Sequence, residues 1–172
     1  MLSRLLVVAC VLAGALACDK WPNGTDTKYN WWQCGGDIQI SSAVPQDMNN
    51  QYEYPIHLGR PLQIVTQANN PTHTYDKLNN TIYVWEWNMN NCGWSTVPTF
   101  NMLNNLDACT NGVTCPIRTG KQQLTFIMDF SPYQKIINLL TNDAPYELEY
   151  ILNNNQIGQA LCIIFQARAY VK

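Results

Sequence analysis

Cysteines, two histidines and a pair of alternating glutamates are the residues of this chain with types suited to chemistry. Cys109 and Cys115 stand six positions apart around Asn111-Gly112, and Pro116 follows directly. A redox or zinc site wants a tighter Cys-x-x-Cys, whereas this spacing suits a small disulfide loop. His57 lies in a strand-like stretch and His73 in a turn. Neither is spaced to act as base for a nucleophile. Glu147 and Glu149 alternate with apolar residues, which reads as a solvated strand face rather than an acid/base pair. Metal-ligand clusters and phosphate-cradling glycine loops are absent from the pattern. The expectation is a non-enzyme with no catalytic residue, no metal site and no cofactor.

The surrounding chain has 172 residues. Residues 1–17 read as a secretory signal: Arg4 is the basic start, residues 5–12 the apolar core, and Ala15-Leu16-Ala17 a small-x-small cleavage site. That run is too short to span a bilayer. A rival reading is a lipoprotein signal with Cys18 lipidated, for which Ala15 is a poor match to the bulky residue expected there. Without residues 1–17, nine Lys and Arg face twelve Asp and Glu, and the basic residues are scattered singly. Nucleic acid is therefore not an expected partner. Cys10 leaves with the signal, and Cys18, Cys34, Cys92, Cys109, Cys115 and Cys162 remain. An even number in a secreted chain implies a disulfide framework, with pairing open. Asn23-Gly24-Thr25 and Asn79-Asn80-Thr81 are glycosylation sequons. A secreted, extracellular or lysosomal location is expected.

The elements that must position these residues have the periodicity of strands. Apolar residues alternate in four long stretches: Tyr83, Trp85, Trp87 and Met89; Leu124, Phe126, Met128 and Phe130; Tyr146, Leu148, Tyr150 and Leu152; and Leu161, Ile163, Phe165, Ala167, Ala169 and Val171. Shorter candidates cover residues 37–44, 54–58 and 62–67. Asn, Gly and Pro clusters separate them. The pattern predicts an all-β fold: an immunoglobulin-like antiparallel β-sandwich of seven or eight strands. Residues 132–140 break it, with Tyr133, Ile136, Ile137 and Leu140 at helical spacing, Ser131 as N-cap and Pro132 at the first helical position. This piece either closes one end of the sandwich or lines a mouth there.

Large aromatics usually fill a sandwich core. The alternative is that the sheets stand apart and enclose an apolar cavity. Its candidate lining is Tyr83, Trp85, Trp87, Phe100, Leu124, Phe126, Phe130, Leu148, Tyr150, Ile163 and Phe165. Alternation alone does not separate these two cases.

Residues 107–117 resemble the Asp-Gly-Cys-x-x-Gly-x-x-Cys-Pro-Ile segment of the ML domain, the lipid-recognition family. Trp32-Gln33-Cys34-Gly35 is similar to that family's opening block, and Cys162 lies where its final strand carries a cysteine. The resemblance spans residues 30–172, leaving 18–29 as an N-terminal extension. It implies that Cys34 joins Cys162 and Cys109 joins Cys115, so that Cys18 is left to Cys92. It also implies a lipid (sterol, fatty acyl lipid or glycolipid) held between the sheets for transfer or presentation, with transient membrane contact. A protein partner, either a lipid acceptor or a hydrolase, is the further implication. The alternative is a protein-interaction module or hydrolase activator. This chain lacks the small disulfide loop that the family's sterol carriers have after their first strand, and it carries a longer segment at residues 131–145. Phe100 falls within one residue of a sterol-contacting aromatic of the family.

Overall fold

Alternating β-branched and aromatic residues favour extended chain with one face to bury. The computed structural model describes residues 18–171, and there these stretches form two facing sheets. The signal-peptide reading of residues 1–17 lies outside the described residues. The first sheet runs β1 (Asn30–Gly35), β10 (Gly158–Tyr170), β9 (Ala144–Asn154), β5 (Asn79–Asn88) and β6 (Gly93–Thr96). Two short pieces extend it: β3 (Ile56–His57) pairs with β10, and β7 (Leu106–Asp107) pairs with β5. The second sheet is β2 (Gln39–Gln46), β4 (Leu62–Asn70) and β8 (Gly120–Met128). All pairings are antiparallel except β3 with β10. The expected all-β sandwich is present, with short β3, β6 and β7 raising the strand number.

Register sets the core. Ile82, Tyr150 and Ile163 stand side by side across β5, β9 and β10, and Val84, Leu148 and Phe165 form the next row. From the other sheet Leu124, Phe126 and Met128 face them, and Phe126 meets Tyr150 edge-to-face at 5.3 Å between ring centres. Phe126, Tyr150 and Ile163 are fully excluded from solvent.

β5 turns its other face inward from the one its aromatics suggested. Asn80, Ile82 and Val84 are buried, whereas Tyr83 is 41% exposed and Trp85 and Trp87 are half-buried on the outer face. Both alternate sets of this strand are apolar, so alternation alone had no preference. Pairing with β9 decides it, because Ile82 and Val84 must share the face of Tyr150 and Leu148. The outer aromatics are sheltered in other ways. Trp87 packs on Trp94 at 5.3 Å, and its Nε1 donates to Asp19 O at 2.8 Å.

The 132–140 piece also differs from expectation. Its helix, α2, covers only Gln134–Ile137, and its N-cap is Tyr133 with no side-chain capping bond. Ser131 sits in a preceding turn, its N–H donating to Asp129 Oδ1 at 2.9 Å. Ile136 and Ile137 are buried against the sandwich, so the segment closes that end.

Three disulfides form: Cys18–Cys92, Cys34–Cys162 and Cys109–Cys115. The last closes the α1 loop (Ala108–Asn111), whose N-cap Asp107 accepts from the N–H groups of Cys109 and Thr110. This loop joins the two sheets. On one side β7 pairs with β5, and on the other Val113 bridges to Phe126 while Ile127 N–H donates to Gly112 O at 2.7 Å.

Candidate functional site: the sandwich interior and its two openings

The interior residues come from four strands whose inward faces meet. Of the eleven residues expected to line a cavity, Leu124, Phe126, Phe130, Tyr150, Ile163 and Phe165 are buried between the sheets, and Leu148 is half-buried among them. Tyr83, Trp85 and Trp87 lie on the outer face. Phe100 is 62% exposed in a tight turn with φ +52°, where Met102 N–H donates to Thr99 O, so it points away from the core. The interior is mostly filled. Two spaces adjoin it.

The first space lies at the end closed by α2. It is lined by Leu58, Val84, Phe130, Ile136, Ile137 and Leu140 together with Tyr146 and Leu148, and its lining is wholly apolar. Its volume is about 30 Å³, close to the share of one water molecule. Tyr146 anchors the roof, its hydroxyl donating to Thr141 O at 2.7 Å and lying 3.2 Å from Glu86 Oε2. Burial and the Glu86 carboxylate hold the Tyr146 phenol well above its ordinary pKa.

The second space is a cleft of about 270 Å³ between β5, β8, the α1 loop and residues 129–133. Its mouth carries exposed Thr110, Ile127 and Pro132, and buried Asn80 lies on its wall. Asn80 Nδ2 donates to Tyr150 Oη at 3.3 Å. Burial pushes the Tyr150 phenol up to about 12. Phe130 belongs to the lining of both spaces. Phe130 and the mouth reading of residues 132–140 pointed to this wall in the sequence, but Asn80 was not visible as a site there. The available signal was an amide in line with Ile82 and Val84 of β5, on the face that alternation left undecided.

The remaining chemistry-bearing residues are dispersed. His57 Nδ1 lies 2.9 Å from Glu53 Oε1, and Arg60 reaches the same carboxylate at 3.2 Å. His73 lies 4.0 Å from Asp37. Glu147 and Glu149 occupy the outer face of β9 opposite Trp85 and Tyr83. Among the described residues, Cys34, Glu149 and Cys162 form the one grouping with metal-ligand spacing, and both cysteines are spent in a disulfide. Of the sequons, Asn23 has its amide nitrogen donating to Gln166 Oε1 at 2.7 Å, and Thr25 is fully buried. Asn79 bonds Asn105 at the surface. No described helix is long and apolar enough to cross a membrane.

No protein-family model matches the chain, and no curated protein matches it either. Among solved structures it is similar to a Niemann-Pick type C2 protein from Japanese carpenter ant, with 12% identity, 81% of this chain and 98% of that chain covered, and a TM-score of 0.49. It is also similar to the C-terminal domain of wzt, with 9% identity, 83% of this chain and 78% of that chain covered, and a TM-score of 0.42.

Proposed function

We propose that this protein is a carrier that holds a lipid tail between its two sheets, at the end covered by residues 131–143. The observation that supports this reading is the wholly apolar space under α2. Apolar space of this kind makes extraction of a tail nearly neutral, because each CH₂ leaves one greasy surroundings for another. Exposure to water would cost about 0.8 kcal/mol per CH₂. At about 30 Å³ the space admits no tail as it stands. Uptake therefore requires α2 to lift, and α2 is a helix of four residues without a side-chain N-cap. The same end exposes apolar side chains: Leu139 at 50% and Met89 at 46% share a surface depression with Pro98, and Phe100 stands two residues on at 62%. These side chains would meet a membrane first. The chain resembles the lipid-recognition family in its cysteine framework, and three disulfides suit an oxidising, extracellular or lysosomal compartment. The role is that of a carrier rather than a catalyst.

The test is native mass spectrometry of protein made in a eukaryotic host, before and after delipidation and reloading. A lipid adduct that returns on reloading is the expected result. Folded protein that neither retains nor rebinds lipid would refute the reading. The packed interior favours one other possibility, a module that acts on a protein partner through its surface. A tryptophan fluorescence titration that stays flat with fatty acid, sterol and glycolipid would point there.

A further inference from the structure

The cleft beside β5 contains a feature that core packing does not explain. Asn80 is 2% exposed, it lines the cleft, and its Oδ1 has no hydrogen-bond partner among the described residues. A buried amide oxygen left unpaired destabilises a fold, and such atoms are normally satisfied. The other amide atom of Asn80 faces Tyr150 Oη at 3.3 Å. Turning the amide over would pair the oxygen with the tyrosine and leave the nitrogen alone. Either way one polar atom remains unpaired behind the cleft wall, with almost no surface open to the cleft as it stands, so a guest reaches it only when that wall yields. Gly112 keeps this corner open, since a Cβ there would come within 2.9 Å of the Tyr150 hydroxyl.

We propose that this cleft takes the uncharged hydroxyl head of the bound lipid, with Asn80 as its hydrogen-bonding partner and Tyr150 as the residue that positions Asn80. This rests on the lipid-binding reading above. A hydroxyl both donates and accepts, so it satisfies Asn80 in either amide orientation. A carboxylate head fits poorly. The cleft wall carries one carboxylate, Asp129, and no cation, so an anion there would be desolvated without a counter-charge. At about 270 Å³ the cleft is near the small end of ligand sites. It suits a head and the first few carbons. Phe130 is shared by its lining and that of the apolar space that would receive the rest of the tail.

The experiment compares two probes with the same chain, 1-dodecanol and dodecanoate at pH 8, in competition on delipidated protein by native mass spectrometry. The wild type is expected to prefer the alcohol by about tenfold or more. Asn80→Leu keeps the side-chain shape and removes the amide. It should bring the ratio down at least about fivefold, through a loss of dodecanol affinity. The substitution deletes an unpaired buried atom but also the donor to Tyr150 Oη, so its melting temperature should fall by no more than the loss of one hydrogen bond allows, about 2–4 °C. Tyr150→Phe, which keeps the ring and frees the amide, should lower the ratio by a smaller factor. Equal binding of both probes by the wild type, or a ratio that survives Asn80→Leu, overturns the proposal. If neither probe binds, the lipid-binding reading itself falls, and this proposal with it.

Discussion

Phe126 and Tyr83 are both large aromatics in strands, yet their environments are opposite. Phe126 is fully buried against Tyr150, whereas Tyr83 is 41% exposed beside Trp85. Phe126→Ala should cost about 3–5 kcal/mol in urea unfolding, and Tyr83→Ala under about 1 kcal/mol. The reverse order would mean that β5 presents its other face inward. Tyr150 adds a pH effect. Its folded pKa is raised by burial to about 12, above the unfolded value of about 10. The folded state then binds the proton more tightly, so the stabilisation is complete below pH 10 and is lost as pH rises towards 12. Alkaline unfolding followed by tyrosinate absorbance should show this loss, and Tyr150→Phe should remove part of it. These assignments could be read only in part from the sequence. Leu124 and Phe126 were legible because β8 alternates them with Gln123 and Thr125, and Ile163 and Phe165 because their set in β10 is apolar from Leu161 to Ala169 while the other set takes in Gln166 and Arg168. β5 was not, because Ile82 and Val84 compete with Tyr83 and Trp85, and only the neighbouring strand breaks the tie. Asn80 went unseen for the same reason.

In the proposed carrier, residues 131–143 are the element on which lipid uptake would turn. Helical spacing in the sequence located the buried pair Ile136 and Ile137, but it overstated the helix. Ser131 and Pro132 are drawn into a turn by the Asp129 carboxylate, and a single helical turn remains. Such a short helix has few internal bonds, and its order depends on packing. Amide hydrogen exchange in this segment should therefore be faster than in β9 or β10, and bound lipid should change it more than any strand. Equal protection throughout would argue against a moving roof. Leu139 in this segment and Phe100 in the turn after β6 are both exposed. The double variant Leu139→Glu, Phe100→Glu should slow lipid transfer between neutral vesicles several-fold and leave the melting temperature nearly unchanged. An unaltered transfer rate would exclude this end as the membrane-facing one.

At the scale of the molecule, three covalent links close loops of very different length. Cys34 and Cys162 are 128 positions apart, Cys18 and Cys92 are 74 apart, and Cys109 and Cys115 only six. Loop entropy assigns the longest link about 5 kcal/mol and the shortest about 2 kcal/mol. Serine replacement of each pair, followed by urea unfolding, should reproduce that order. The cysteine positions made two of these pairings expected through family resemblance, and the third followed once they were made. What no local pattern conveyed is where the links lie. From Cys18, bonded beside β6, the chain runs past Trp87, sets Trp21 against Arg168 of β10, bonds Gln166 through Asn23, and enters β1. It thus acts as a strap over the outer face of the larger sheet, and Cys34–Cys162 fastens two of the strands it crosses. The smaller sheet of β2, β4 and β8 carries no disulfide within it. The sandwich is therefore built like a vice with one fixed jaw and one sprung jaw. A guest of the proposed kind would lift α2 first, and any strain that passed beyond α2 would register in β8 before it reached β9 or β10.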